Sequence, residues 1–372
     1  MTDGMGTVYD AATGAEVQRT GTKKETDEKC PACGGTMEYD PSSQGLLCPF
    51  CGAQKQIETA TGAVEQDFAT AETTASHDWG AEKKAVICKS CGAESIYDVL
   101  QTAGVCPYCG STQVMEQAAP DAMAPGGVIP FKIDKKTAGQ RFMAWLKGKL
   151  FTPTAAKKSA KPEAFTGVYL PYWTFDADTT TSYAGQFGRN RTVRDRDGKT
   201  RVVTDWFPVS GVHNEFVDDA LVCGTERHEP GLIRSIEPFN TGNNLAYKPE
   251  YVAGFVAERY SVGVKDAFER AKTFIMSLLR GHVESRVRQE KSADIVRLST
   301  FEVNMRNIKF KYLLLPVWIS SFSYKGKVFQ FLVNGETGKV AGRAPVSPLR
   351  VAVAIVLTCL FVWLMYMLFQ NS

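Results

Sequence analysis

Eight of the ten cysteines in this 372-residue chain stand in C-x2-C pairs, and the pairs recur at a fixed interval. Cys30/Cys33 precede Cys48/Cys51, Cys88/Cys91 precede Cys106/Cys109, and an offset of 58 residues superimposes one set of four on the other. The same offset aligns Gly34 with Gly92, Tyr39 with Tyr97, Asp40 with Asp98, Pro49 with Pro107, Phe50 with Tyr108 and Gly52 with Gly110. This is an internal repeat, and it dictates local structure. A C-x2-C knuckle offers two sulfurs to one ion from a single tight turn, and two knuckles joined by a hairpin complete a tetrahedral thiolate set. With all four positions supplied by protein, no coordination site stays open for water, so the metal is scaffold rather than catalyst. Two structural zinc ions are therefore expected, one on Cys30, Cys33, Cys48 and Cys51, the other on Cys88, Cys91, Cys106 and Cys109. Ligation across the two ribbons is the alternative, disfavoured by the short hairpins. Redox C-x2-C pairs do not come as four at repeated spacing.

The segment Met1 to Lys29 is polar and charged and has no apolar core of the kind a signal peptide needs, so the thiols are placed in a reducing, cytoplasmic setting. The formal net charge of +3 hides a division. Up to Ile129 there are 8 Lys/Arg against 18 Asp/Glu, and from Pro130 onward 35 against 22. Each zinc on four thiolates adds a further −2 to the acidic front. That front repels phosphate.

Composition divides the chain into a flexible N-terminus (1–27), ribbon one (28–54), a linker (55–85), ribbon two (86–115), a Pro/Gly linker (116–128) and a larger body. Phe142, Trp145, Leu146 and Leu150 predict a helix from Lys135 to Leu150. Alternation from Gly167 to Val217 about Asp197-Gly198 predicts a hairpin. A helix over Lys265 to Gln289 follows, then strands around Phe301 to Tyr324 and Lys327 to Val333. Leu170-Pro171-Tyr172-Trp173 matches Leu315-Pro316-Val317-Trp318, each preceded by a helix and followed by a hairpin. The body is thus read as two related α+β halves with antiparallel sheets, 129–262 and 263–345. The simpler account of the matched residues is core packing; a shared binding cleft is the alternative.

Val351 to Phe369 carries no charge, and its 19 residues reach ~28 Å, close to the ~30 Å hydrocarbon core of a bilayer. A transmembrane helix over 350–370 is expected. Lys339, Arg343 and Arg350 precede it and no positive charge follows, which keeps the bulk of the chain cytoplasmic in a single-pass, tail-anchored arrangement at the inner membrane. Trp363 and Tyr366 suit the distal interface, and Cys359 is an apolar filler. Lys132, Lys135, Lys136, Lys147, Lys149, Lys157, Lys158 and Lys161 form the strongest basic cluster, facing either solvent or an anionic leaflet.

Taken together, the Cys-Pro-x-Cys-Gly ribbons, Ile129-Pro130-Phe131-Lys132, the run Gly167 to Phe175, Lys248-Pro249-Glu250-Tyr251 with Ala253-Gly254-Phe255, and Phe331 to Gly335 followed by Thr337-Gly338 are distinctive. In these the chain resembles bacterial membrane-anchored proteins with tandem transcription-factor-B-type zinc ribbons, often labelled primosomal or replication-restart helicase-like. The resemblance implies zinc, a membrane and a place in envelope-stress modules. It does not imply helicase activity. Such activity needs G-x-x-x-x-G-K-[ST], and Val193 stands where the first glycine should precede Gly198-Lys199-Thr200.

No other chemistry is prominent. His77, His213, His228 and His282 lack metal or triad spacing, Asp176 and Asp178 share one strand face, and Cys223 is isolated. The expected function is a non-enzymatic membrane adaptor whose ribbons dock protein partners and whose basic body meets anionic lipid. A membrane-tethered nucleic-acid-binding protein linked to replication or transcription is the second reading, and an enzyme with a cleft between the halves the third.

Overall fold

The period-two alternation of the body produces three very long strands, and two of them organise the molecule. The structure, a computed structural model, describes residues 29–58, 62–71, 123–159, 165–194, 199–325 and 327–370, with the segments 8–9, 16–17, 83–89, 94–98 and 114–118. The first ribbon holds β1 (Glu38–Asp40), β2 (Gly45–Leu47) and β3 (Gln54–Lys55), and β4 (Gln66–Asp67) follows. Around the second are β5 (Lys83–Cys88), β6 (Glu94–Asp98) and β7 (Val114–Ala118). The body comprises β8 (Gly127–Val128), α1 (Lys135–Gly148), α2 (Thr154–Ser159), β9 (Thr166–Arg194), β10 (Thr200–Cys223), α3 (Pro230–Ile236) and β11 (Leu245–Ala246). It continues through β12 (Val256–Glu258), α4 (Val264–Lys291), β13 (Ile295–Tyr324), β14 (Lys327–Asn334) and β15 (Val340–Gly342) to α5 (Pro348–Gln370). The fold is mixed α+β with mainly antiparallel pairing. Within 1–27, Val8–Tyr9 pairs with Glu16–Val17. The Asp197-Gly198 turn lies outside the described residues.

β9 and β13 run antiparallel with Leu170 opposite Leu315, and about that pair the hydrogen bonding repeats with partners exchanged. β12 lies parallel to β9 with Val256 on Val168, and β8 lies parallel to β13 with Gly127 on Leu313. The Gly224 N–H donates to Pro171 O and the Gly335 N–H to Pro316 O, both at 2.8 Å. Ser261 and Val262 donate to Gly224 O as Lys132 and Ile133 donate to Gly335 O. Trp173 Nε1 donates to Val262 O at 2.9 Å and Trp318 Nε1 to Ile133 O at 2.8 Å. Those carbonyls belong to the residues just before the N-caps of α4 and α1, Gly263 and Asp134. The two matched sequence strings therefore hold equivalent places on the two central strands, and each tryptophan ties down the entry to the helix that leads into the opposite strand.

On one face of this sheet α4 buries Ala267, Phe268, Ala271, Ile275, Leu279, Val283 and Val287, a stripe at three- and four-residue spacing. The helix runs about 42 Å along β9, β10 and β13. On the other face Ile233, Ile236 and Phe239 cover Val168, Leu170, Tyr172, Leu313, Leu315, Val317 and Ile319. Farther out that face is bare, and Val202, Val212 and Phe216 are exposed.

The stretch 55–85 is more than a linker. β4 pairs with Lys309 and Phe310 of β13, Ala63 N–H donates to Asn244 Oδ1 at 2.6 Å, and the Phe68 ring packs on Phe268 at 4.5 Å. One aromatic is enough to seat a polar segment. None of the described residues of α5 between Pro348 and Met367 is buried, whereas the core helix of a soluble protein would bury a face. It is long and apolar enough to cross a membrane.

Candidate metal centre and its setting

The two knuckles of the first ribbon are built alike. Gly34 N–H donates to Cys30 O and Gly52 N–H to Cys48 O, while Cys30 N–H donates to Gly35 O and Cys48 N–H to Ala53 O, all between 2.7 and 2.9 Å. Closing each turn demands a left-handed residue directly after the second cysteine, and Gly34 and Gly52 supply it with φ of 72° and 76°. The result brings the Sγ atoms of Cys30, Cys33, Cys48 and Cys51 within 4.8 Å of one another, with Cys30–Cys51 at 3.4 Å and Cys33–Cys48 at 3.5 Å. In a tetrahedral site with ~2.3 Å metal–sulfur bonds the sulfurs stand about 3.8 Å apart. The donor set fits a metal ion. Cys30 and Cys48 are buried, and Cys33 and Cys51 face outward.

The Cys51 N–H, donating to Cys48, heads the contacts that bring the Cys48 thiol down to about 7. At Cys51 the Ala53 N–H acts in the same direction but is outweighed by the neighbouring Cys30 and Cys33 thiols, which leave it at about 12. Four thiols this close cannot all ionise without a cation among them.

The ribbon is seated on the body. Tyr39 N–H donates to Ala253 O at 3.1 Å, and its ring lies edge-on to Tyr251 and against Phe255. Gln44 Nε2 donates to Phe131 O at 2.9 Å. Phe131 and Phe255 stack at 4.4 Å on Trp318, so the ribbon rests on the region where the two central strands are tied to α1. The opposite side is open, and Phe50, between Cys48 and Cys51, is 76% exposed.

Of the second set, Cys88 is buried at the end of β5, and Cys91, Cys106 and Cys109 lie outside the described residues. The backbone repeats nonetheless: the bridge Lys29↔Thr36 of the first ribbon recurs as Ile87↔Glu94, again 58 residues on. β6 continues onto β12 of the body.

The acidic residues are arranged differently from the expectation. A bulge in β9 interrupts the period between Asp176 and Asp178, so Asp176 is buried while Asp178 is exposed and accepts from Asn307 Nδ2. Asp176, Asp218 and Asp219 cluster, but Lys311 Nζ fills their centre, 2.8 Å from Asp219 and 3.7 Å from both Asp176 and Glu65. Burial lifts the Asp176 carboxyl to about 6. Lys311 already provides the positive charge such a cluster would seek in a cation.

Two histidine networks also escaped the sequence. Glu215 bonds both His213 Nε2 at 2.8 Å and His282 Nδ1 at 2.9 Å, tying β10 to α4. Fully buried Glu258 accepts from Thr225 at 2.5 Å and lies 3.2 Å from His228 Nε2. Nearby, Cys223, His228, Ile233, Glu237, Phe239 and Phe274 line a cavity of about 450 Å³. Burial pushes the Cys223 thiol up to about 12, so it is no ready nucleophile. His77 lies outside the described residues.

Of the basic cluster, Lys132 pairs its Nζ at 3.0 Å with nearly buried Glu336, although its own side chain stays 42% exposed. Lys135, Lys136, Lys147, Lys149 and Lys158 remain exposed on or beside α1 and α2, Lys157 is half-buried, and Lys161 lies outside the described residues.

No known family's sequence profile matches the chain, and no solved structure does. It is similar to an uncharacterized protein of Bacillus subtilis strain 168, YdjG, with 29% identity over 230 residues. The match covers 62% of this chain and 66% of that protein, just under two thirds of its length.

Proposed function

We propose that the chain is a zinc-binding, non-enzymatic membrane adaptor in which the ribbons dock protein partners at the cytoplasmic face of the cell membrane, within an envelope-stress module. Zinc is the metal because four closed thiolates suit its tetrahedral preference, and when bound it supplies rigidity rather than chemistry. The observation that carries the docking role is the division of the first ribbon into a seated side at Tyr39 and an open knuckle presenting Phe50. An exposed aromatic on a metal-stiffened turn is a suitable interface anchor. The acidic charge of the front segment weighs against nucleic acid. In this reading α5 spans the bilayer once.

The test is capture of partners by the full chain in detergent, with Phe50→Asp and Cys48→Ser beside the wild type. Proteins retained by wild type and lost from Phe50→Asp, while Phe50→Asp keeps its zinc, support the reading. Equal capture by Phe50→Asp, or retention of DNA at physiological salt, overturns it.

A further inference from the structure

The junction between the body and α5 carries an apolar tip that no other described residue covers. The loop between α1 and α2 is fastened to the start of α5. Arg350 NH1 donates to Leu150 O at 3.1 Å and to Thr152 O at 2.6 Å, Arg350 NH2 donates to Thr154 Oγ1 at 2.7 Å, and Ser347 N–H donates to Phe151 O at 2.8 Å. These bonds hold the backbone of the loop against the first turn of the helix, with Leu150 and Phe151 facing outward and Thr152 buried. Leu150 is 78% exposed and Leu349 73%, and Phe151 and Val346 stand exposed beside them. A soluble surface does not gather four large apolar groups at one point without a partner.

The charges that flank this tip along the chain have one sign. From Lys135 to Lys161 there is no carboxylate side chain, and there is none after Glu336. Lys147, Lys149 and Lys158 are exposed near the loop, and Lys149 Nζ sits 4.7 Å above the Trp145 ring. An apolar tip rimmed by lysines and backed by an aromatic is the composition of a segment lying in a membrane interface, with hydrocarbon below and anionic headgroups around it.

Resting on the reading that α5 spans the bilayer, we infer that Leu150, Phe151, Val346 and Leu349 form a second membrane-inserted element. It is a wedge at the cytoplasmic headgroup level, with Lys147, Lys149 and Lys158 contacting anionic lipid. Arg350 ties the wedge to the spanning helix, so the body is held at two points and cannot swivel freely about α5.

The test uses the full chain in vesicles of phosphatidylcholine with phosphatidylglycerol. A benzophenone side chain is placed at Leu150, at Leu349, at Val356 in mid-helix, or at Val212 on the distant bare sheet face. Lipid adducts at 150, 349 and 356 but not at 212 are expected, with the yield at 150 falling severalfold in pure phosphatidylcholine while that at 356 holds. Adducts at 356 with none at 150 and 349 overturn the wedge and leave the span standing. No adduct at 356 removes the span and the wedge with it. A protein adduct at 150, or yields there indifferent to headgroup charge, overturns the lipid assignment. Position 349 is the second reporter on the same tip should substitution at 150 disturb the loop.

Discussion

At the residue scale, the first ribbon is determined by contacts within one short stretch, and single changes should act locally. Cys48→Ser should remove one metal equivalent of two, read by elemental analysis, and leave membrane association intact. Lys311 is the contrasting case, a nearly buried ammonium among Glu65, Asp176 and Asp219. Lys311→Met leaves carboxylates without their counter-charge, and about 3 kcal/mol of stability should be lost at pH 7. Asp176 titrates at about 6 in the folded chain, above its unfolded value, so it favours the fold at low pH and that contribution fades as pH rises through about 6. The penalty of Lys311→Met should accordingly shrink toward pH 5, as denaturant titrations at the two pH values would register. The cysteines were legible because a knuckle is a local object. The Lys311 cluster was not, since its members come from four segments and no spacing connects them.

At the element scale, alternation and helical spacing disclosed the long strands and the two long helices of the body, but not the short α2 and α3. Expected spans of Lys135 to Leu150 and Lys265 to Gln289 became Lys135–Gly148 and Val264–Lys291. The bulge at Asp176 was hidden, because an inserted residue leaves composition unchanged while it turns one carboxylate inward and the next outward. Trp173 and Trp318 were rightly read as packing residues, yet their indole N–H groups do more than fill space. Trp173→Phe and Trp318→Phe should each cost about 1–3 kcal/mol by leaving a carbonyl at a helix entry without its donor. Amide exchange should quicken in α4 for the first variant and in α1 for the second.

At the scale of the whole molecule, three of the strings that carry the resemblance meet in space: Phe131, Tyr169 and Phe255 form one aromatic cluster, with Trp318 of the internal repeat beside them. Sequence supplied the strings but not their meeting point. Deleting residues 348–372 should move the chain from the membrane to the soluble fraction on fractionation, with the ribbon zinc retained.

The exchanged tryptophans also set an order of events during synthesis. The entry to α1 emerges early, but the indole that secures it lies 185 residues further along at Trp318, with most of the body in between. Contacts so distant in sequence form late. A ribosome-bound chain would thus carry an unfinished body until α5 is itself about to be made, so maturation of the body and appearance of the apolar helix fall almost together.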